Sequence, residues 1–154
     1  MDSHTDFLIR EIQKSDLTTF KIVLLDFYSE INHSFSAANL DEIIADFLEN
    51  GCIYVALNSD KILGFISVIE SNALYARGSF GVINELYIIP EYRSQEIGQK
   101  LIHFIIDTAK RKNWKRLELD TPEIEKSENT IRFYKKEGFV PVGYRMKLHI
   151  NFTL

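Results

Sequence analysis

The chain has 154 residues, 45% of them hydrophobic and 26% charged, and a formal net charge of −4. This composition predicts one globular domain over residues 1–154. The acidic balance argues against nucleic acid as a partner, because nucleic-acid-binding domains normally carry a basic face, and it favours cationic or neutral small partners. Cys52 is the only cysteine, which excludes an intramolecular disulfide and predicts a reducing, cytoplasmic location.

The sequence contains no pattern typical of a membrane segment or a metal site. The apolar runs all break within about a dozen residues, too short to cross a bilayer. The N-terminus, MDSHTDFLIR, lacks the basic and apolar regions of a signal peptide. The four histidines never fall at metal-ligand spacing: His4, His33, His103 and His149. We therefore expect no membrane association and no metal.

The first half of the chain predicts a strand, two helices and a hairpin. FLIREIQ at 7–13 alternates as a strand does, and apolar residues recur at helical spacing over 17–31. After a polar loop at 32–38, Asn39 is a candidate N-cap for a second amphipathic helix that stops at Asn50-Gly51. The β-branched and aromatic runs CIYVAL and ILGFISVIE then predict two strands around the turn NSDK.

The second half predicts further strands and two helices. After a loop at 71–79, FGVINELYII is a long strand that ends at Pro90, and 97–112 is the strongest amphipathic helix. RLELD is a strand, 127–138 a helix ended by Gly138, and FVPVG and YRMKLHI are the last two strands. The order βααβββαβαββ describes a single α/β domain with a mixed sheet.

Residues 90–101, PEYRSQEIGQKL, have the layout of an anion-binding loop. A strand and a tight loop lead into a helix, so free amides and the helix dipole favour a negative charge there. Arg93 adds a cation, and Gly98 allows a ligand to approach the backbone. On these residues alone, an ordinary strand-to-helix turn explains the pattern equally well.

The stretch ELYIIPEYRSQEIGQKLI, followed later by FYKKEGF, resembles the GNAT superfamily of N-acetyltransferases. The coenzyme loop of that superfamily reads Gln or Arg, two residues, Gly, one residue, then Gly or Ala. That pattern falls here on RSQEIG, residues 93–98, and the element order matches from about residue 7 to residue 150. The resemblance implies a GNAT-like acyl-coenzyme A N-acyltransferase fold and acetyl-coenzyme A as the cosubstrate.

The resemblance also implies a set of coenzyme-binding residues. The backbone of three strand residues pairs with the pantetheine amides as an added strand would: Leu86, Tyr87 and Ile88. The loop and the first helical turn hold the pyrophosphate: Arg93, Ser94, Gln95, Glu96, Ile97, Gly98 and Gln99. Ser127 stands where the superfamily often has an asparagine that bonds the coenzyme arm, and it is also a candidate N-cap.

Glu96 departs from the superfamily pattern, which has glycine at this position. It places a carboxylate near a diphosphate. We expect it to be compatible with binding if its side chain points outward and the backbone there does not need a positive φ.

Acetyl transfer to an amine requires a base, because a lysine-like amine with a pKa of about 10.4 arrives protonated. The strand carboxylates Glu85 and Glu118 are the candidates, and strand alternation allows only one of Asn84 and Glu85 to face the substrate. The backbone N–H near Ile88 is the candidate oxyanion donor. In the FY pair, Tyr134 is predicted to protonate the leaving thiolate; a core aromatic is the alternative.

The acceptor is predicted to be an amine of a small molecule or a peptide. Residues 28–38, 71–79 and 120–128 should form its side of the cleft, and the acidic character of the last segment favours a cationic acceptor. A homodimer through the C-terminal strands is compatible with the pattern. Two competing hypotheses are a non-catalytic acyl-coenzyme A-binding module and a protein-interaction domain.

Overall fold

The computed structural model describes residues 5–31, 39–121 and 127–150. Two compact units make up the chain, Met1–Leu119 and Asp120–Leu154. The first contains five strands: β1 (Leu8–Glu11), β2 (Gly51–Asn58), β3 (Lys61–Ala73), β4 (Gly78–Ile88) and β5 (Leu117–Leu119). It also contains three helices: α1 (Leu17–Glu30), α2 (Leu40–Asn50) and α3 (Ile97–Arg111). The second contains α4 (Glu128–Lys136).

The sheet of the first unit runs in sequence order, β1-β2-β3-β4-β5. The first four strands pair antiparallel, whereas β5 pairs parallel with β4. The connection between β4 and β5 passes through α3, as a parallel pair requires, because a crossover needs a helix-length segment. The predicted α/β class with a mixed sheet is confirmed.

Helices cover both faces of the central strands, and the register of β2 and β3 shows how. Val55 pairs with Phe65, and Phe65 lies within 5.0 Å of the Phe20 ring of α1. The next pair, Tyr54 with Ile66, faces the other way, and the Tyr54 ring is 5.0 Å from Phe104 of α3. These strands are therefore buried on both faces, which explains their nearly continuous apolar sequence.

The α3 prediction is confirmed, and one glycine shapes how the end of this helix packs. Leu101 and Ile105 are fully buried at helical spacing, and the helix ends at Arg111. Beyond it, Trp114 lies against Gly81 of β4 so closely that a Cβ on Gly81 would be 2.4 Å from the indole ring. A side chain at position 81 would therefore displace Trp114.

The connection between β3 and β4 is shorter than predicted. The predicted loop at 71–79 is mostly strand, since β3 continues to Ala73 and β4 begins at Gly78. The turn between them is closed by Ala76 N–H donating to Ala73 at 3.1 Å. Register pairing with β4 overrides the weak strand propensity of Ser71 and Asn72.

The last two predicted strands, 139–143 and 144–150, are not formed. The helix α4 ends at Lys136, and the predicted stop signal Gly138 follows it with φ +98, its N–H donating to the Lys135 carbonyl at 3.1 Å. The following apolar residues alternate but are exposed: Val140, Val142, Tyr144, Met146, Leu148 and Ile150. Alternation defines an apolar face, but a strand also needs a partner for its N–H and C=O groups. Among residues 127–150 no such pairing occurs.

Candidate active site

A β-bulge in β4 determines which way Glu85 faces. Glu85 pairs with Ser67, and Ile83 pairs with Val68, so Asn84 has no partner on β3. An extra residue of this kind interrupts strand alternation and redirects the neighbouring side chains. Asn84 is exposed, whereas Glu85 is partly buried. The structure thus turns Glu85, and not Asn84, towards the protein.

Ser67 holds Glu85 through two hydrogen bonds. Ser67 is only 2% exposed. Its hydroxyl oxygen accepts the Glu85 backbone N–H at 3.0 Å, and the same hydroxyl donates to Oε2 of the Glu85 carboxylate. Burial raises the pKa of Glu85, and the Ser67 bond offsets part of this rise. A carboxylate that is oriented and made more basic in this way is suited to accept a proton.

Tyr28, near the end of α1, belongs to the same cluster. The pKa of Tyr28 is raised, first by burial and then by the negative charge of Glu85. The Tyr28 hydroxyl is therefore linked electrostatically to the Glu85 carboxylate. Tyr28 is the first residue of the predicted acceptor side at 28–38; of that side, residues 32–38 lie outside the described residues, as do residues 122–126.

The edge of β4 beside Glu85 is open in the described part of the chain. On one side, Leu86, Tyr87 and Ile88 pair with Ile66, Phe65 and Gly64 of β3. On the other side, the ladder with β5 extends only from Gly81 to Ile83. The predicted pantetheine-binding backbone therefore has an edge to which an extended ligand could add as a strand.

Arg93 follows this edge and is held by protein groups. Its Nε donates to the Ile88 carbonyl at 2.9 Å, and its Nη2 reaches the two carboxylate oxygens of Glu30 at 2.8 and 2.7 Å. Its guanidinium also lies 5.5 Å from the Tyr87 ring centre. The ion pair lowers the pKa of Glu30 and raises that of Arg93. The Arg93 side chain is therefore already bound by protein groups and is not a free surface cation.

The loop between Arg93 and α3 has a strained backbone. Ser94 has φ +64 and Glu96 has φ +63, both in the left-handed region that favours glycine. The Glu96 side chain is exposed, which meets the first condition for compatibility with binding, but its positive φ means that the second condition is not met. Ile97 is buried and begins α3, so the first-turn amides of Ile97, Gly98 and Gln99 lie where an anion would bind.

The N-terminal segment contacts this loop. Thr5 donates from its hydroxyl to the Gln95 side chain at 2.9 Å, and the Lys100 ammonium lies 5.0 Å from the Phe7 ring centre. The side chain of Gln95 is thus engaged by the protein. Its predicted contribution to ligand binding is through the backbone.

Glu118 has different surroundings from Glu85. Its carboxylate forms a 3.0 Å ion pair with Arg116 and accepts the Tyr75 hydroxyl at 3.3 Å. It pairs with Val82, three positions along β4 from Glu85, or roughly 10 Å at strand spacing. The two candidate bases do not form one cluster, and the Glu118 carboxylate is engaged by Arg116.

Tyr134 lies in α4 of the second unit, among aromatic rings. Its ring centre is 5.3 Å from Phe133 and 5.7 Å from Phe139. Burial raises the pKa of Tyr134 to about 12, so the hydroxyl is protonated at neutral pH. Ser127 occupies the predicted N-cap position, where its carbonyl accepts the Ile131 N–H at 3.0 Å, but its side chain makes no capping bond.

Sequence reasoning missed two residues of this site, Ser67 and Glu30. Ser67 is the lone hydroxyl inside the apolar run ILGFISVIE, and a buried polar residue needs a partner, so a signal existed. Glu30 lies at the end of an amphipathic helix, where an exposed carboxylate is unremarkable. Its partner Arg93 is 63 residues away, which no local pattern indicates.

Within the described residues, no three His, Cys, Asp or Glu side chains cluster as metal ligands would. No helix in those ranges is long and apolar enough to cross a membrane.

Comparison with known proteins gives the same family as the resemblance. The profile of the acetyltransferase (GNAT) domain matches residues 49–141, more than half of the chain. The chain is 29% identical over 106 residues to the aminoalkylphosphonate N-acetyltransferase of Salmonella typhimurium, covering 68% of each protein. It is 28% identical over 100 residues to N-alpha-acetyltransferase 30 of Schizosaccharomyces pombe, covering 65% of each. The structure of an acetyltransferase of Trypanosoma brucei superimposes with a TM-score of 0.77 at 23% identity, over 94% of this chain and 100% of that one.

The chain therefore belongs to the GNAT acetyltransferase family. By class it is an N-acetyltransferase, and the family predicted from the sequence is confirmed. The two curated relatives match over about two thirds of their length. Their names differ, and the family alone does not define the acceptor.

Proposed function

We propose that this chain transfers the acetyl group of acetyl-coenzyme A to a primary amine, which attacks the thioester directly. One observation carries the proposal: a partly buried, hydrogen-bonded carboxylate, Glu85, lies on the strand whose edge is open beside it. The base and the edge suited to an extended cosubstrate are thus on the same segment of β4. The family membership supports acetyl-coenzyme A as the donor.

The residues present fit the cosubstrate. The open backbone of Leu86–Ile88 would pair with the amides of pantetheine, and the first-turn amides of α3 would bind the pyrophosphate. When bound, the cosubstrate supplies an activated thioester. The N–H near Ile88 is the proposed oxyanion donor, and the bond from Arg93 uses only the carbonyl of Ile88.

Glu85 is the proposed base. The acceptor ammonium gives a proton to the Glu85 carboxylate, directly or through a water, and the free nitrogen pair then forms the new C–N bond. The C–S bond breaks, its electron pair leaves with the sulfur, and the new amide nitrogen releases its second proton to solvent. A raised pKa makes Glu85 a better base than an ordinary carboxylate. Glu118 is the alternative base, but its ion pair with Arg116 makes it a weaker candidate.

Tyr134 is proposed to stabilise the leaving thiolate. This role is supported by the motif FYKKEGF and the protonated state of the hydroxyl. A full proton transfer from a group of pKa about 12 to a thiolate of pKa about 8.5 is unfavourable. We therefore propose that the hydroxyl donates a hydrogen bond to the sulfur.

The proposed acceptor is a small-molecule or peptide amine, and the name of the aminoalkylphosphonate N-acetyltransferase supports a small-molecule amine. The charge of Glu85 beside Tyr28 favours a cationic amine. Residues 1–154 are proposed to form one catalytic domain, because the family match extends across residue 119. The cytoplasmic location and the homodimer are further proposals, supported by the lone cysteine and the alternating C-terminal residues.

A second candidate function is an acyl-coenzyme A-binding module without turnover. Glu96 favours it, because a carboxylate and a strained backbone both stand at the proposed diphosphate site. Release of free thiol from acetyl-coenzyme A distinguishes the two functions. The amine panel should contain an aminoalkylphosphonate, an aminoglycoside, a polyamine and a peptide with a free N-terminus. Thiol release that depends on one of these amines supports the transferase, whereas binding of the coenzyme with no release from any of them supports the module.

A further inference from the structure

The ion pair between Glu30 and Arg93 connects two parts of the site that are distant in sequence. Glu30 is the last residue of α1, two positions after Tyr28, and Arg93 opens the loop that leads into α3. Both carboxylate oxygens of Glu30 contact Nη2 of Arg93, and the Tyr87 hydroxyl interacts with the same carboxylate. The Nε of Arg93 is bound to the Ile88 carbonyl at the end of β4. One guanidinium therefore joins α1, β4 and the loop.

The loop needs an external constraint, because its own backbone is strained. Ser94 and Glu96 both have a positive φ, a conformation that is strained for residues other than glycine. A loop of this kind would relax to other conformations unless neighbouring contacts fix it. Arg93 immediately precedes Ser94 and is fixed at two points, so its contacts are placed to supply that constraint.

We propose that Glu30 is a positioning residue for the coenzyme: by holding Arg93 across the end of β4, it presets the loop 93–97 for a diphosphate and fixes the end of α1 beside it. This inference rests on the proposed function, since it concerns the same coenzyme. The contacts with Ile88 and Glu30 use Nε and Nη2 of Arg93. In the described part of the chain Nη1 makes no hydrogen bond to protein, so it is available to a phosphate oxygen. Glu30 acts through Arg93.

The inference predicts an effect opposite in sign to that of simple electrostatics. Replacing Glu30 with Gln removes a negative charge near the proposed diphosphate and frees Arg93 to bind it, so electrostatics alone predicts tighter binding. If Glu30 presets the loop, the Glu30→Gln variant should bind the coenzyme more weakly, because its loop must be ordered at the moment the ligand binds. The sign of the change in Kd therefore separates the two explanations.

The experiment measures the Kd of coenzyme A by calorimetry for the native protein and for Glu30→Gln. We expect the variant to bind about two- to fivefold more weakly, in line with an exposed ion pair in which one guanidinium nitrogen contacts both carboxylate oxygens. Glu91→Gln is the matched control: it removes the same charge next to the same loop from a residue outside this ion pair, and it should bind as tightly as the native protein or more so. Arg93→Lys keeps the positive charge but loses the forked geometry, and it should also weaken binding.

A double-mutant cycle completes the test. If Glu30 acts through Arg93, then Glu30→Gln combined with Arg93→Gln should bind as weakly as Arg93→Gln alone. Tighter binding by Glu30→Gln, or additive losses in the cycle, would overturn the inference while leaving the proposed function intact. A native protein that binds no coenzyme A would overturn both. Melting temperatures of all variants show whether any loss of binding comes from unfolding.

Discussion

Ser67 and Glu85 are joined twice: the Ser67 hydroxyl oxygen accepts the Glu85 backbone N–H at 3.0 Å, and the same hydroxyl donates to the Glu85 carboxylate. The first bond fixes the backbone at the bulge, and the second fixes the side chain. One small residue thus positions both the strand and the proposed base. The Glu118 carboxylate is instead bonded by Arg116 and Tyr75.

Replacing Ser67 with Ala should move the pH dependence of the reaction. The Ser67 bond lowers the pKa of Glu85 against the larger effect of burial, so its loss should raise that pKa further. The rise of kcat/KM with pH should then shift to higher pH. The variant should also lose about 1–3 kcal/mol of unfolding free energy, because the buried Glu85 N–H loses its acceptor. The pH profile of kcat/KM and chemical denaturation measure the two effects.

Ser71→Ala is the control for that variant, since Ser71 lies on the same strand but pairs with Phe80, away from Glu85. It should leave the pH profile unchanged. An unshifted profile in Ser67→Ala would mean that the hydroxyl does not act on the carboxylate.

Replacing Glu96 with Gly should raise both stability and coenzyme affinity. Glycine adopts φ +63 without strain, which favours the folded state by about 1 kcal/mol, less the entropy that glycine adds to the unfolded chain. It also removes a carboxylate from the proposed diphosphate site. Ser94→Gly relieves the same strain at φ +64 without a charge change, and Glu96→Gln removes the charge without relieving strain. We expect the first control to raise only the melting temperature and the second to lower only the Kd of coenzyme A.

Asp16 should stabilise the protein in a pH-dependent way. Its carboxylate receives two bonds from Arg10, at 2.7 and 3.1 Å, and the Gln13 N–H at 2.7 Å, and the Arg10 bond is the main cause of its lowered pKa. Because the folded pKa lies below the unfolded value, the stabilisation is present above the ordinary carboxyl pKa and is lost as the pH falls through the lowered one.

We therefore expect Asp16→Asn to cost about 1–2 kcal/mol at neutral pH and progressively less in acid, measured by denaturation at several pH values. Asp41→Asn is the control, because the Lys21–Asp41 pair leaves the Asp41 side chain 76% exposed. It should change stability by less than about 0.5 kcal/mol at any pH. A loss in Asp16→Asn that is equal in acid and at neutral pH would contradict the assignment.

The pattern of apolar residues predicted the helices and strands that bury an apolar face. It failed where strand formation depends on hydrogen bonding to a neighbouring strand. Ile97, Leu101 and Ile105 identified α3 because a helix buries every third or fourth residue. The segment 139–150 has strand alternation but lacks a paired neighbour among the described residues, and sequence alone does not supply one. The bulge at Asn84 and the contacts of Ser67 and Glu30 join residues far apart in the chain, so only the fold reveals them.

Tyr134→Phe should slow the reaction without loosening the coenzyme. The substitution deletes the hydroxyl and keeps the ring that packs against Phe133 and Phe139. A hydrogen bond to a charged group is worth about 1.5–3 kcal/mol, so kcat should fall by about 10- to 100-fold, with the melting temperature and the Kd of coenzyme A nearly unchanged. Steady-state kinetics, calorimetry and thermal melting check the three quantities. Turnover equal to that of the native protein would show that Tyr134 is only a packing residue.

The most direct test of the account is the pH profile of kcat/KM for Glu85→Gln beside that of the native protein, with the best acceptor from the amine panel. If Glu85 takes the proton of the amine, the variant should be slower by about 10²–10⁴-fold at neutral pH and should recover in part at high pH, where free amine is abundant. Glu118→Gln is the matched variant and should follow the native profile. The opposite results would contradict the account: an equal loss at every pH in Glu85→Gln, or a pH-dependent loss in Glu118→Gln.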